Sequence, residues 1–91
     1  MAFISKQVRI VNDLGVHARA AGMISKAAQN ASAGVRMIKD GLAVDASSLL
    51  DILTLECAKD STVSIEIEDP KDLEILERIE KMIAGGFGEA S

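Results

Sequence analysis

Ninety-one residues, 48% of them apolar and 26% charged, make one small domain with a thin core, residues 1–91, rather than a disordered chain. The longest stretch without Lys, Arg, Asp or Glu runs only from Ala27 to Val35, too short for a membrane helix, and a single cysteine, Cys57, excludes an internal disulfide or a cysteine metal cluster. The net charge of −4, with two Phe and no Tyr or Trp, argues against nucleic acid, which needs a basic stripe or a stacking platform.

The charge is unevenly spread. Residues 1–40 hold six basic and two acidic side chains, a balance of +4, and residues 41–91 hold four basic and twelve acidic, a balance of −8. A basic front half suits an acidic protein or a phosphate. Met1 to Arg9 lack the basic start and apolar run of a signal peptide, so the cytoplasm is the expected location.

Val8 and Ile10, alternating with Gln7, Arg9 and Val11, predict a first strand. Asn12-Asp13-Leu14-Gly15 predicts a loop. A helix is expected over 18–30, with Ala21, Ile24, Ala28 and Ala31 on one face. Val35 to Ile38 and Leu42 to Val44 form a hairpin around Asp40-Gly41, two residues that tolerate positive φ. A short helix is predicted over 47–55. Thr62 to Ile67 alternates with Val63, Ile65 and Ile67 on one face. Asp69 and Pro70 open a last helix, with Leu73, Leu76, Ile79 and Ile83 as its apolar row, and Gly85-Gly86 stops it. The order β-α-β-β-α-β-α, with strands apolar on one face only, predicts an α+β open-faced sandwich: a four-stranded antiparallel sheet covered by helices on one face.

The lone histidine, His17, stands at the start of the first helix. First-turn N–H groups have no acceptor within a helix and form a ready anion site. The positive end of the helix dipole disfavours an imidazolium there, and a neutral imidazole is a competent nucleophile. Arg19 is placed to clamp phosphate oxygens. The plain alternatives are a capping or surface histidine and a solvated arginine.

Leu14-Gly15-Val16-His17-Ala18-Arg19-Ala20-Ala21 resembles the active-site segment of HPr, the histidine-containing phosphocarrier family of the bacterial phosphoenolpyruvate:sugar phosphotransferase system. Lys39-Asp40-Gly41 resembles that family's central hairpin, Ala46-Ser47-Ser48-Leu49-Leu50 its regulatory serine segment, and Gly86-Phe87-Gly88-Glu89 its usual ending. The resemblance covers essentially the whole chain. It implies a carrier without turnover of its own. His17 would accept a phosphoryl group on Nδ1 from phosphorylated enzyme I and pass it to the A component of a permease. Arg19 would steady that group, with the backbone N–H groups of Ala18 and Ala20 at the helix start. No metal or cofactor is implied, and a monomer is expected.

Two departures stand out. The family usually has Pro where this chain has Ala20, so the helix start loses a preset turn and gains an N–H donor. Phosphorylation is expected to survive, with an altered stability of the phosphorylated form. The family often has Gly where this chain has Asp51, a carboxylate that would repel acidic partners.

Ser48 followed by Asp51 predicts a capping box, with Ser47 competing for the role. The resemblance adds regulation by an ATP-dependent HPr kinase/phosphorylase, and capping alone and capping with regulation both stay open. A phosphate on Ser48 would lie close to Asp51. Leu49, Leu50 and Leu53 are core residues or a partner patch, extended by Ala20 and Met23. Cys57 is expected to pack as a small hydrophobe. Glu66, Glu68, Asp69, Asp72, Glu74, Glu77 and Glu80 are expected to form a solvated acidic face. Besides phosphoryl transfer through His17, two rivals remain. One is a regulatory module governed by Ser48 or a nitrogen-linked branch. The other is a small binding domain of ferredoxin-like layout in which His17 is incidental.

Overall fold

The computed structural model describes residues 3–89. The chain runs through strand β1 (Ile4–Arg9), helix α1 (Ala18–Ala28), strands β2 (Val35–Lys39) and β3 (Leu42–Asp45), helix α2 (Leu49–Thr54), strand β4 (Thr62–Ile67) and helix α3 (Leu73–Ala84). Short 3-10 turns at Pro70–Asp72 and Gly86–Gly88 bracket α3. The sheet has the order β1-β4-β2-β3 and every pairing is antiparallel. This is the expected open-faced sandwich.

β4 shows why the sheet has one wet face. Val63, Ile65 and Ile67 are buried, whereas Ser64 and Glu66 between them stay partly open. Each fully buried side chain of this size contributes roughly 1.5–3 kcal/mol of transfer free energy. Ile24 of α1, Ile52 of α2 and Leu76, Ile79 and Ile83 of α3 close over that face. On the other face Arg36 pairs with Glu66 and lies over the ring of Phe3, 4.6 Å from its centroid. Asp40 (φ 52°) and Gly41 (φ 82°) turn the β2–β3 hairpin through the positive-φ pair that the sequence predicts.

Several boundaries and roles differ from expectation. β1 starts earlier and ends at Arg9. Ile10 is fully buried beyond it, linked through its backbone to Ser61 and Asp60 rather than along the ladder. α1 stops at Ala28. Leu73 is 40% exposed, because the chain enters α3 through the 3-10 turn capped by Asp69 and only then presents its apolar row to the sheet.

The acidic face is not uniformly solvated. Asp72 is buried and accepts the N–H groups of Ser32 (2.7 Å) and Ala33 (3.0 Å), which pins the α1–β2 loop to the start of α3. Glu68 takes the Gly34 N–H (2.8 Å), and Glu77 and Glu80 face Lys6. Cys57 is buried, and burial pushes its thiol pKa up.

Candidate functional site

The sequence between β1 and α1 fixes where His17 goes. Gly15 sits at φ +64°, and a Cβ there would meet the Cys57 carbonyl oxygen at 2.4 Å. Only glycine satisfies both the conformation and the close approach. The Val16 N–H then bonds that same carbonyl (2.9 Å). His17 follows in extended conformation as the residue that caps α1, and its carbonyl accepts the Ala21 N–H at 2.8 Å.

His17 makes no side-chain cap. The first-turn N–H groups of Ala18, Arg19 and Ala20 therefore keep the open end that an anion would use. The Ala20 side chain itself is fully buried, so it does not extend the surface patch; only its backbone is available to the site.

The His17 ring is turned by a residue from the far end of the chain. Nε2 lies 2.5 Å from Glu89 Oε2. The same oxygen receives Arg19 at 2.5 Å, and the other carboxylate oxygen receives Asn12 Nδ2 at 2.9 Å. Asn12 is buried, its Nδ2 also donates to the Gly15 carbonyl (2.8 Å), and its Oδ1 has no partner among the described residues. The hydrogen bond from His17, followed by those from Asn12 and Arg19, holds the Glu89 carboxyl down at about 2, against the desolvation that raises it.

The consequence for the ring is chemical. A carboxylate can only accept, so Nε2 carries the proton and a neutral ring keeps its lone pair on Nδ1.

Glu89 and Asn12 are site residues that sequence reasoning missed. Glu89 reaches His17 because the chain doubles back after α3. Gly86 (φ 65°), Phe87 (φ 58°) and Gly88 (φ 76°) are all left-handed, and the Phe87 ring is buried as an anchor. The Gly-Phe-Gly triplet was the available signal: two glycines around an aromatic predict a tight reversal.

Arg19 stands where expected, beside His17, and its second guanidinium nitrogen reaches Met23 Sδ at 3.3 Å. Ser48 does not join this group. It caps α2, and Gln29 beyond the end of α1 bonds the adjacent Ser47 carbonyl at 3.1 Å. Ser48 thus sits toward the opposite end of α1 from His17. The capping box is only half formed. Ser48 Oγ accepts the Asp51 N–H (3.2 Å), but the Ser48 N–H goes to the Asp45 carbonyl (3.1 Å), so Asp51 does not close the reciprocal bond. Ser47 is no rival cap: its N–H and hydroxyl both bond Asp45, which lowers that carboxyl's pKa.

Of the three leucines, Leu50 is 73% exposed, while Leu49 and Leu53 are half-buried against the core. Leu14, in the loop before His17, is 72% exposed as well. Among the described residues no group of three or more His, Cys, Asp or Glu is arranged to hold a metal, and no helix is long and apolar enough to cross a membrane.

Comparison with known proteins places this arrangement. A family model described as "PTS HPr component phosphorylation site" matches residues 4–85. The chain is 34% identical over 86 residues to the phosphocarrier protein HPr of Cupriavidus necator, covering 94% of this chain and 97% of that one. It is 33% identical over 87 residues to the phosphocarrier protein NPr of Klebsiella oxytoca, with the same coverage of each. Among solved structures, HPr-C-His from Thermoanaerobacter tengcongensis superposes with a TM-score of 0.87 over 100% of both chains at 26% identity. HPr from Bacillus anthracis gives 0.84 over 91% of this chain and 99% of that one, at 28% identity. With the fold, the histidine at the helix start and a family match over nearly the whole chain in agreement, this chain belongs to the HPr family of phosphotransferase-system phosphocarriers.

Proposed function

We propose that this chain carries a phosphoryl group on His17 Nδ1, accepting it from phosphorylated enzyme I and delivering it to a permease A component, as a cytoplasmic monomer. The observation that carries the reading is the Glu89 carboxylate on Nε2, which leaves Nδ1 as the ring's lone-pair nitrogen. In the transfer, that lone pair forms the new N–P bond while the donor's bond to phosphorus breaks and its electrons stay on the donor. The ring gains positive charge as it takes the phosphoryl group, and the Nε2–H bonded to Glu89 stabilises it. The phosphoryl oxygens meet Arg19 and the first-turn N–H groups, including that of Ala20, where the family usually places Pro.

The test is intact-mass measurement with phosphoenolpyruvate and enzyme I from the source organism. The expected result is one acid-labile phosphoryl group on the parent and none on His17→Ala. No gain by the parent would overturn the reading. The nitrogen-linked branch is the second reading, and the NPr relative at 33% identity supports it. Presenting the phosphorylated chain to A components of each branch separates the two. Regulation through Ser48 has the weaker support. That hydroxyl already caps α2, and a phosphate there would face the exposed Asp51.

A further inference from the structure

Between α1 and α3 lies a hollow of about 270 Å³, lined by Met23, Lys26, Ala27, Asn30, Arg78 and Met82. Its floor is apolar and soft: two half-buried methionine side chains flank a buried alanine. Methionine thioethers adapt to different partner shapes, which suits a recognition surface. A hollow of this size has room for a protruding side chain.

The rim is basic. Lys26 and Arg78 are exposed, and neither side chain makes an ion pair or hydrogen bond among the described residues. Glu74 and Glu77 line an adjoining hollow that shares Arg78 and Met82 with this one, together with Lys81. Lys26 belongs to the front part of the chain, residues 1–40, whose balance is +4, and with Arg78 it gives this rim a charge that attracts an acidic partner. The hollow also continues a stripe down α1. Arg19, Met23, Ala27 and Asn30 follow one another at helical spacing, and the Arg19 guanidinium touches Met23 Sδ. The stripe therefore starts beside the His17 site and ends at Asn30, just past the end of α1.

We infer that the α1–α3 hollow is a docking site for an acidic amphipathic helix of a partner protein, one bulky apolar side chain seated between Met23 and Met82 and flanking carboxylates paired with Lys26 and Arg78. This surface is independent of phosphoryl chemistry at His17, so its test uses no phosphoryl donor.

The four methionines of the chain suit methyl-labelled NMR, because Met37 is fully buried in β2 and serves as an internal control. The probe is a synthetic helical peptide of about 15 residues, with one central Leu and a Glu one turn to either side. The Met23 and Met82 methyl signals shift together, with half-saturation below about 1 mM, while Met37 stays still. Lys26→Glu and Arg78→Glu each weaken binding several-fold. The double variant loses the Glu peptide and gains a Lys-flanked version of it, a swap that a merely misfolded variant would not show.

Three results would overturn the inference: no shift at Met23 and Met82; equal binding of the Glu-flanked and Lys-flanked peptides by the parent; or shifts that follow protein concentration without peptide, which would assign the hollow to a second copy.

Discussion

The starts of α1 and α2 are built from the same material and treated in opposite ways. α2 begins at Ser48, whose hydroxyl accepts the Asp51 N–H and so satisfies one of the orphan donors that every helix start carries. α1 begins at His17, whose side chain turns away from the helix to Glu89 and leaves the donors of the first turn uncapped. A capped start serves stability. An uncapped start forgoes about 1 kcal/mol of capping and keeps an anion site open. Within one small domain, the difference leaves one helix start with free donors, which is the end that the proposed phosphoryl transfer uses.

The sharpest way to break this comparison is His17→Ala. It abolishes the acid-labile phosphoryl gain in the intact-mass assay. Since His17 contributes no cap, urea unfolding shows a loss below about 1 kcal/mol, the range of a partly exposed pair. A large loss of stability would show that His17 is structural. Gly15→Ala comes next. The left-handed backbone and the approach to the Cys57 carbonyl together predict a loss of about 3 kcal/mol, read from the urea midpoint. Stability equal to the parent would mean that the His17 loop is not fixed in the way described.

Ser48→Ala is smaller, about 1 kcal/mol from the lost cap. A neutral result there would erase the contrast between the two helix starts. The smallest effect is the pH dependence carried by Glu89. Its folded carboxyl sits at about 2, below the ordinary 4.5. The charged form therefore stabilises the fold fully above about pH 4.5, and that contribution fades as pH falls toward 2. Glu89→Gln removes this component, so the stability curves of parent and variant converge as the pH drops through that window. Curves that stay parallel would show that Glu89 is not held as described.

Much of this architecture was legible in the sequence because it is written locally. The alternation of Val63, Ile65 and Ile67, the Asp40-Gly41 turn and the apolar row of α1 each concern neighbours within a few residues. His17 and Arg19 were legible for the same reason: both lie at one helix start, and their placement needs only the loop before it.

What stayed hidden depends on residues distant in the chain. Glu89 meets His17 across 72 positions: the Gly86-Phe87-Gly88-Glu89 ending marks the segment, but which side chain its carboxylate meets is decided only once the Gly86–Gly88 reversal is in place. Asp72 looked like one more solvated acid because its ligands, the N–H groups of Ser32 and Ala33, are backbone groups that no side-chain pattern displays. The capping box was half wrong because Asp45 outcompeted Asp51 for the Ser48 N–H, and the β3–α2 turn that decides it is a matter of geometry.

The doubling-back of the chain after α3 bears on how the molecule becomes competent. The β2–β3 hairpin closes over two residues, whereas the contact that sets the imidazole tautomer needs both ends of the chain in place. Contacts of such separation form late, since loop closure must precede them. Local opening from the native state is likewise easiest where few side chains hold a segment, and beyond α3 the described turn has one buried aromatic, Phe87. The scaffold can therefore stay folded while its histidine loses its orienting carboxylate. Hydrogen exchange at Gly88 and Glu89, followed beside that at β4, would time those two events separately.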